Sequence, residues 1–408
     1  MKARTSDASG AYRAVSLALF TSLFAGQAAL IVMSPVLAKA ASDLNVSTAA
    51  AGQLRTLTGL AAGITALMLG SAAGRVGLRR QLIGASVLLA LGSLASAGAP
   101  SFALLALAQL PIGVAVAVLT TAGTLAAAEW VPADLRTRTL SWALVGQPAA
   151  WIVGMPLIGL VGEHNWRYGW LALPLVAAVA AAALVAPLAG TPAVRIRPTR
   201  TRVVFGDRVL VRWLASELLA NAAWAGTLVF SGALYSESYG TSAGMAGLML
   251  AVAACAYVAG NITCRRLARH EPRRVLVVLA ALLAITTGLF GIVRVDALLT
   301  TALFSSAAFV AGGRTLIASG FALETAPDLR PAVTSLRAAT MQFGYFVGSM
   351  AGGLALAVGG YSALGATMGV FFLSAAAALA QRPIATQRRR ATVRASRASG
   401  HVFGSSAR

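Results

Sequence analysis

Apolar residues in this chain come in blocks about twenty long, and that length fixes the class of fold: at 1.5 Å per residue such a helix crosses roughly 30 Å of hydrocarbon. The blocks fall near residues 14–38, 49–73, 81–99, 102–128, 139–161 and 169–188, and again near 211–235, 243–263, 275–293, 297–323, 333–358 and 363–381. They predict an all-α membrane protein with twelve transmembrane helices in two sets of six. Of the 408 residues, 58% are hydrophobic and 11% charged, where soluble domains carry about a quarter charged; an ordinary soluble enzyme and a disordered chain are excluded. The apolar stretch before Ala38-Lys39-Ala40 runs from Val15 to Leu37, longer than the roughly 7–15 residues of a signal h-region, so it is expected to stay as the first helix.

Charge sets the orientation. The formal net charge is +21, which in a soluble protein points to nucleic acid. Threaded with a cytoplasmic N-terminus, however, 28 of the 33 Lys and Arg residues fall on the cytoplasmic side, Arg337 among them. The outer side keeps Lys39, Arg167 and Arg294, and Arg55, Arg314 and Glu217 fall within helices. Positive charge gathers on cytoplasmic loops, so both termini are expected inside and no nucleic-acid partner is needed. The expected order is a cytoplasmic tail 1–13, a bundle 14–188, a central loop 189–210, a bundle 211–381 and a basic tail 382–408 able to lie on anionic lipid. A shift of 195 positions places Glu129 on Glu324, Pro132 on Pro327, Gln147 on Gln342 and Ala51-Gly52 on Ala246-Gly247; the halves read as a parallel repeat.

Local motifs then carry a resemblance. The segment Met33-Ser34-Pro35-Val36-Leu37 with Asp43-Leu44-Asn45, the loop from Gly70 through Arg75, Gly77, Arg79 and Arg80, the fifth-helix set Gly146, Gly154, Pro156 and Gly159, and Asn165-Trp166-Arg167 together resemble the arabinose-efflux and drug-efflux branch of the major facilitator superfamily, the twelve-helix drug:proton antiporters. The resemblance implies a cytoplasmic latch at Gly70–Arg80 and an antiporter-type glycine-proline face on helix five. The chain departs from the pattern at Gly74, where an Asp is usual, at Gln109, where many proton antiporters carry Arg, and in a first helix without Asp or Glu. Counter-charges for the latch are therefore sought in Glu129 and Glu324; the same arginines also read as plain positive-inside charge. Likewise the helix-five set suits a rocking interface, although Gly and Pro are frequent in membrane helices generally.

Charges inside a membrane cost roughly 2.5–3.5 kcal/mol each on insertion scales, so the three interior ones are weighed individually. Glu217 and Arg314 sit at similar depths and can pair, with Glu217 the candidate proton carrier; alternatively Glu217 snorkels to the headgroups. Arg55 either faces the cavity or reaches outward to Asp43. Gln27, Gln147, Asn221, Trp224 and Gln342 complete a candidate substrate cavity with Arg55 and Arg314, each also readable as a packing hydrogen bond.

Cys255 and Cys264 form no CxxC pair, and the three histidines fall in loops or the tail; neither a metal site nor a catalytic group is indicated, and no cofactor is implied. The chain is expected to be a monomeric, multi-pass cell-membrane exporter of a small drug-like or sugar-like molecule, coupled to protons. An uptake carrier for a metabolite and a non-transporting sensor with the same fold are the alternatives.

Overall fold

The computed structural model describes residues 2–72, 76–188, 201–269 and 271–380. Arg75 of the expected latch, most of the central loop and the basic tail lie outside the described residues. Helices α1 (Lys2–Ile31) and α2 (Met33–Asp43) run on as one span. There follow α3 (Thr48–Ala72), α4 (Leu78–Ala97), α5 (Phe102–Glu129), α6 (Arg136–His164) and α7 (Tyr168–Val185). The second half holds α8 (Arg208–Tyr239), α9 (Ala243–Thr263), α10 (Pro272–Ile292), α11 (Ala297–Thr325) and α12 (Arg330–Ala380). No strand occurs among the described residues. Ten of these segments are long and apolar enough to cross a membrane, as a backbone that must satisfy its own hydrogen bonds in lipid requires.

The helix ends follow from polar residues the apolar blocks do not include. Asp207 accepts from the Val209 and Leu210 amides, Ser242 from Met245 and Asp296 from Leu299, each occupying amides that the first turn leaves free. Gly240 closes α8 at φ 64°, a left-handed conformation that favours glycine. The seventh helix therefore opens at Arg208 rather than at 211. The first helix begins at Lys2, so the expected tail 1–13 is largely helical, and it extends to Asp43 past residue 38. Its one break is the turn at Val32, three residues before Pro35, whose missing N–H cannot bond the Ile31 carbonyl. Pro174 has the same effect inside α7, where Leu171–Leu175 adopts a π turn. α12 is divided by Gly359 (φ −144°, ψ 23°) and Gly360 (φ 63°, ψ −158°). Phe102 and Ala297 open equivalent helices 195 positions apart, as do Thr48 and Ala243.

The halves meet chiefly along α3 with α12, α6 with α9, and α2 with α8. Glycines make the approach possible, since without a hydrophobic drive in lipid the backbones themselves must come close. A Cβ on Gly59 would lie 2.8 Å from the Phe346 amide nitrogen, and one on Gly232, Gly159 or Gly247 would strike the carbonyls of Ser34, Ala243 and Met155. Among the described residues, the hydrogen bonds between halves are Thr48 to Glu237, Gln53 to the Ser349 carbonyl (3.3 Å) and the Gly244 amide to Glu163 (3.0 Å). All three lie toward one end of the bundle, the end that also carries Asp43.

Candidate substrate site between the halves

Glu217 lies in the first third of α8 and is 1% exposed. Arg314 Nη1 donates to its Oε1 at 2.8 Å, and Arg337 Nε donates to its Oε2 at 3.0 Å. Arg314 is further held by Nη2 on the Ser216 carbonyl (3.2 Å) and hydroxyl (3.1 Å). Arg337, counted from sequence as a cytoplasmic loop residue, instead belongs to this buried cluster. Its Cα is seven residues into α12 and Glu217 is nine into α8, so the two side chains sit at similar depth. The second arginine is the physical reason a carboxylate can stay inside the bundle without reaching headgroups: each oxygen has its own guanidinium. Glu217 therefore does not snorkel.

Arg55 turns inward. Its guanidinium stacks over the Tyr345 ring at 4.7 Å, a cross-half cation–π contact, and it lines a small pocket with Ser34, Thr58, Gln109 and Trp170. The outward alternative fails because Asp43 is already occupied: it accepts from Trp166 Nε1 (2.9 Å) and from Arg167. Gln109 is buried and bonds Thr58, Ser96 and the Leu105 carbonyl.

Trp224 joins a set of rings that sequence reasoning did not assemble. Trp151 of α6 stacks on Trp224 at 6.5 Å and meets Tyr257 of α9 at 5.6 Å; Trp224 also stacks on Tyr257 and on Phe304 of α11. Tyr257 is on α9, and Trp224 is seven residues, two helical turns, beyond Glu217 on α8. The rings and the ion cluster thus share α8, two turns apart. Asn221 donates to the Glu217 carbonyl at 2.7 Å. Gln342 Oε1 is buried without a partner. Gln27 and Gln147 are half-buried, and among the described residues no hydrogen bond joins them to the cluster.

The family model for the Major Facilitator Superfamily matches this chain over residues 15–268 and again over 215–405. The chain belongs to the Major Facilitator Superfamily. Like the superfamily's members it is a transporter and not an enzyme. It is 28% identical over 298 residues to a chloramphenicol resistance protein of Streptomyces lividans, covering 68% of this chain and 73% of the relative. Two solved superfamily structures share its fold. A D-xylose-proton symporter matches at TM-score 0.73 and 16% identity, over 90% of this chain and 97% of that one. The nucleoside transporter NupG matches at TM-score 0.71 and 13% identity, over 90% and 98%.

The superfamily motifs take definite positions. Gly77 precedes α4, Arg79 donates to the Ala186 carbonyl of α7, and Arg80 is exposed. Glu129 and Glu324 are exposed and form no ion pair among the described residues; Arg75, one of the loop arginines they were expected to meet, lies outside those residues. The helix-five set divides into two faces. Gly146 meets Phe20 and Phe24 of α1, and Gly154 meets Leu173 and Ile31, both within the first half. Only Pro156 and Gly159 face the second half, against Gly247 and Ala243. Asn165-Trp166-Arg167 acts as a tie: besides Asp43, Arg167 bonds the Ala99 carbonyl at 3.2 Å and stacks on Trp166, joining α2, α4 and α7 at the closed end.

Proposed function

We propose that this chain is a twelve-helix secondary transporter of the cell membrane, with both termini cytoplasmic, that exports a small drug-like or sugar-like molecule by alternating access. The carrying observation is a buried site made jointly by the two halves. Arg55 and Trp151 of the first half contact Tyr345, Trp224 and Tyr257 of the second, so a ligand held there feels both bodies and a change in their angle changes its contacts. Twelve spans follow when α3 is added to the ten apolar segments and α12 is divided at Gly359–Gly360. The positive-inside bias supports the orientation, and the bonded end is then the outer one, leaving the site facing the cytoplasm.

Export is favoured by the kinship to a chloramphenicol resistance protein. Proton coupling is assigned to Glu217, the acidic residue of the interior cluster. A proton on it would dissolve two ion pairs and leave Arg337, the more exposed partner, free to turn to the cavity. Expression in a drug-sensitive strain, with labelled chloramphenicol and a panel of aromatic antibiotics, tests this. Accumulation of at least one compound falls and an uncoupler restores it; unchanged accumulation across the panel rules out export.

A further inference from the structure

Resting on the transporter reading above, we infer that the site between the halves takes an aromatic anion, an arene carboxylate being the simplest. Three observations converge. The interior carries Arg55, Arg314 and Arg337 against Glu217 alone, a surplus of two positive charges where each uncompensated charge is costly. The acidic residues of the closed end cannot supply the balance. Asp43 is held by Trp166 and Arg167; Glu163 by the Gly244 amide; Glu237 by Thr48 and Tyr361. A bound anion can.

The hydrogen-bonding census points the same way. Arg55 Nη1, Arg314 Nε, Trp151 Nε1 and Trp224 Nε1 are buried donors without partners, and Gln342 Oε1 is the corresponding acceptor. Buried polar groups are nearly always satisfied, so these unpaired guanidinium and indole donors describe a ligand that brings acceptor oxygens. A cationic ligand would meet three guanidiniums and a single carboxylate already bonded by two of them. The rings of Trp151, Trp224 and Tyr257 supply flat surfaces for an aromatic body, and Arg55 over Tyr345 supplies a guanidinium whose Nη1 remains unused.

The test needs no variant to begin. Purified full-length protein is titrated calorimetrically with 2-naphthoate, 2-naphthamide and 2-naphthylmethylammonium, three probes of one shape and different charge. A charge-assisted hydrogen bond makes the naphthoate bind about tenfold more tightly than the amide, with the ammonium weakest. Equal or better binding of the ammonium overturns the inference. Arg55→Gln collapses the anion's advantage over the amide, and Arg55→Lys retains part of it; an undiminished advantage in a folded Arg55→Gln protein also overturns it. Counterflow in proteoliposomes separates this from the transporter reading. Naphthoate that binds selectively but does not exchange refutes transport and leaves the anion site standing, whereas exchange of a neutral drug without anion preference does the reverse.

Discussion

Replacing Glu217 by Gln is the perturbation whose cost the structure dictates most sharply. The amide keeps the shape but removes the charge between two guanidiniums, one on each oxygen. Breaking a buried pair by neutralising one partner costs about 3–5 kcal/mol, because the other charge stays buried and uncompensated. The two arginines differ in how they escape. Arg337 is 21% exposed on its side chain and can swing toward water, whereas Arg314 is 5% exposed and pinned by Ser216. The penalty therefore sits mainly on Arg314. Equilibrium unfolding in mixed micelles, followed by tryptophan fluorescence, should show Glu217→Gln destabilised by about 3–5 kcal/mol. Adding Arg314→Met should recover most of that loss, since the uncompensated charge is then no longer buried. Adding Arg337→Gln should recover much less. A single mutant losing under about 1 kcal/mol, or equal rescue by both second mutations, would refute the argument.

Four further outcomes follow from named contacts. Glu163→Gln weakens the cross-half cap on the α9 amide at Gly244, which shifts the ratio of open to closed outer ends toward open, read by cysteine accessibility from outside; unchanged labelling would contradict this. Gly232→Val drives a side chain into the Ser34 backbone, so the α2–α8 contact cannot form, the outer end stays accessible and transport stops; wild-type labelling would contradict this. Gly360→Ala, at φ 63°, destabilises by about 1 kcal/mol in the same unfolding assay. Burial pushes the Cys264 thiol up from its ordinary pKa, so thiolate forms later as pH rises; the rise in its maleimide rate is displaced to higher pH than for a free thiol such as N-acetylcysteine in the same buffer, and superimposed profiles would contradict that.

The helices were legible because hydrocarbon thickness imposes a length that composition alone reveals. Their ends were less so, since caps such as Asp207 and Asp296 are polar and fall outside an apolar window. Asp43 looked like loop punctuation; only the fold brings Trp166 and Arg167 to it across more than a hundred residues. Arg337 was missed because it stands near a helix start on the side where Arg330 reads as loop charge, although counting depth from Arg330 places it level with Glu217. The ring set also left a trace: Trp151 is four residues from Gln147 and Tyr345 three from Gln342, spacings that put neighbours on one helix face. What no pattern in one chain discloses is which helices face each other, so Arg55 over Tyr345 and Trp151 on Trp224 needed the three-dimensional structure.

The central claim is that a site shared by the halves carries a molecule across the membrane. Counterflow measures this without any driving force: proteoliposomes loaded with an unlabelled compound identified in the accumulation screen are diluted into its labelled form. Transient accumulation of label in wild-type vesicles, abolished when Arg55→Gln is combined with Trp224→Leu in a folded protein, is the result the account predicts. Absence of counterflow in the wild type, or counterflow undiminished in that double variant, would contradict it.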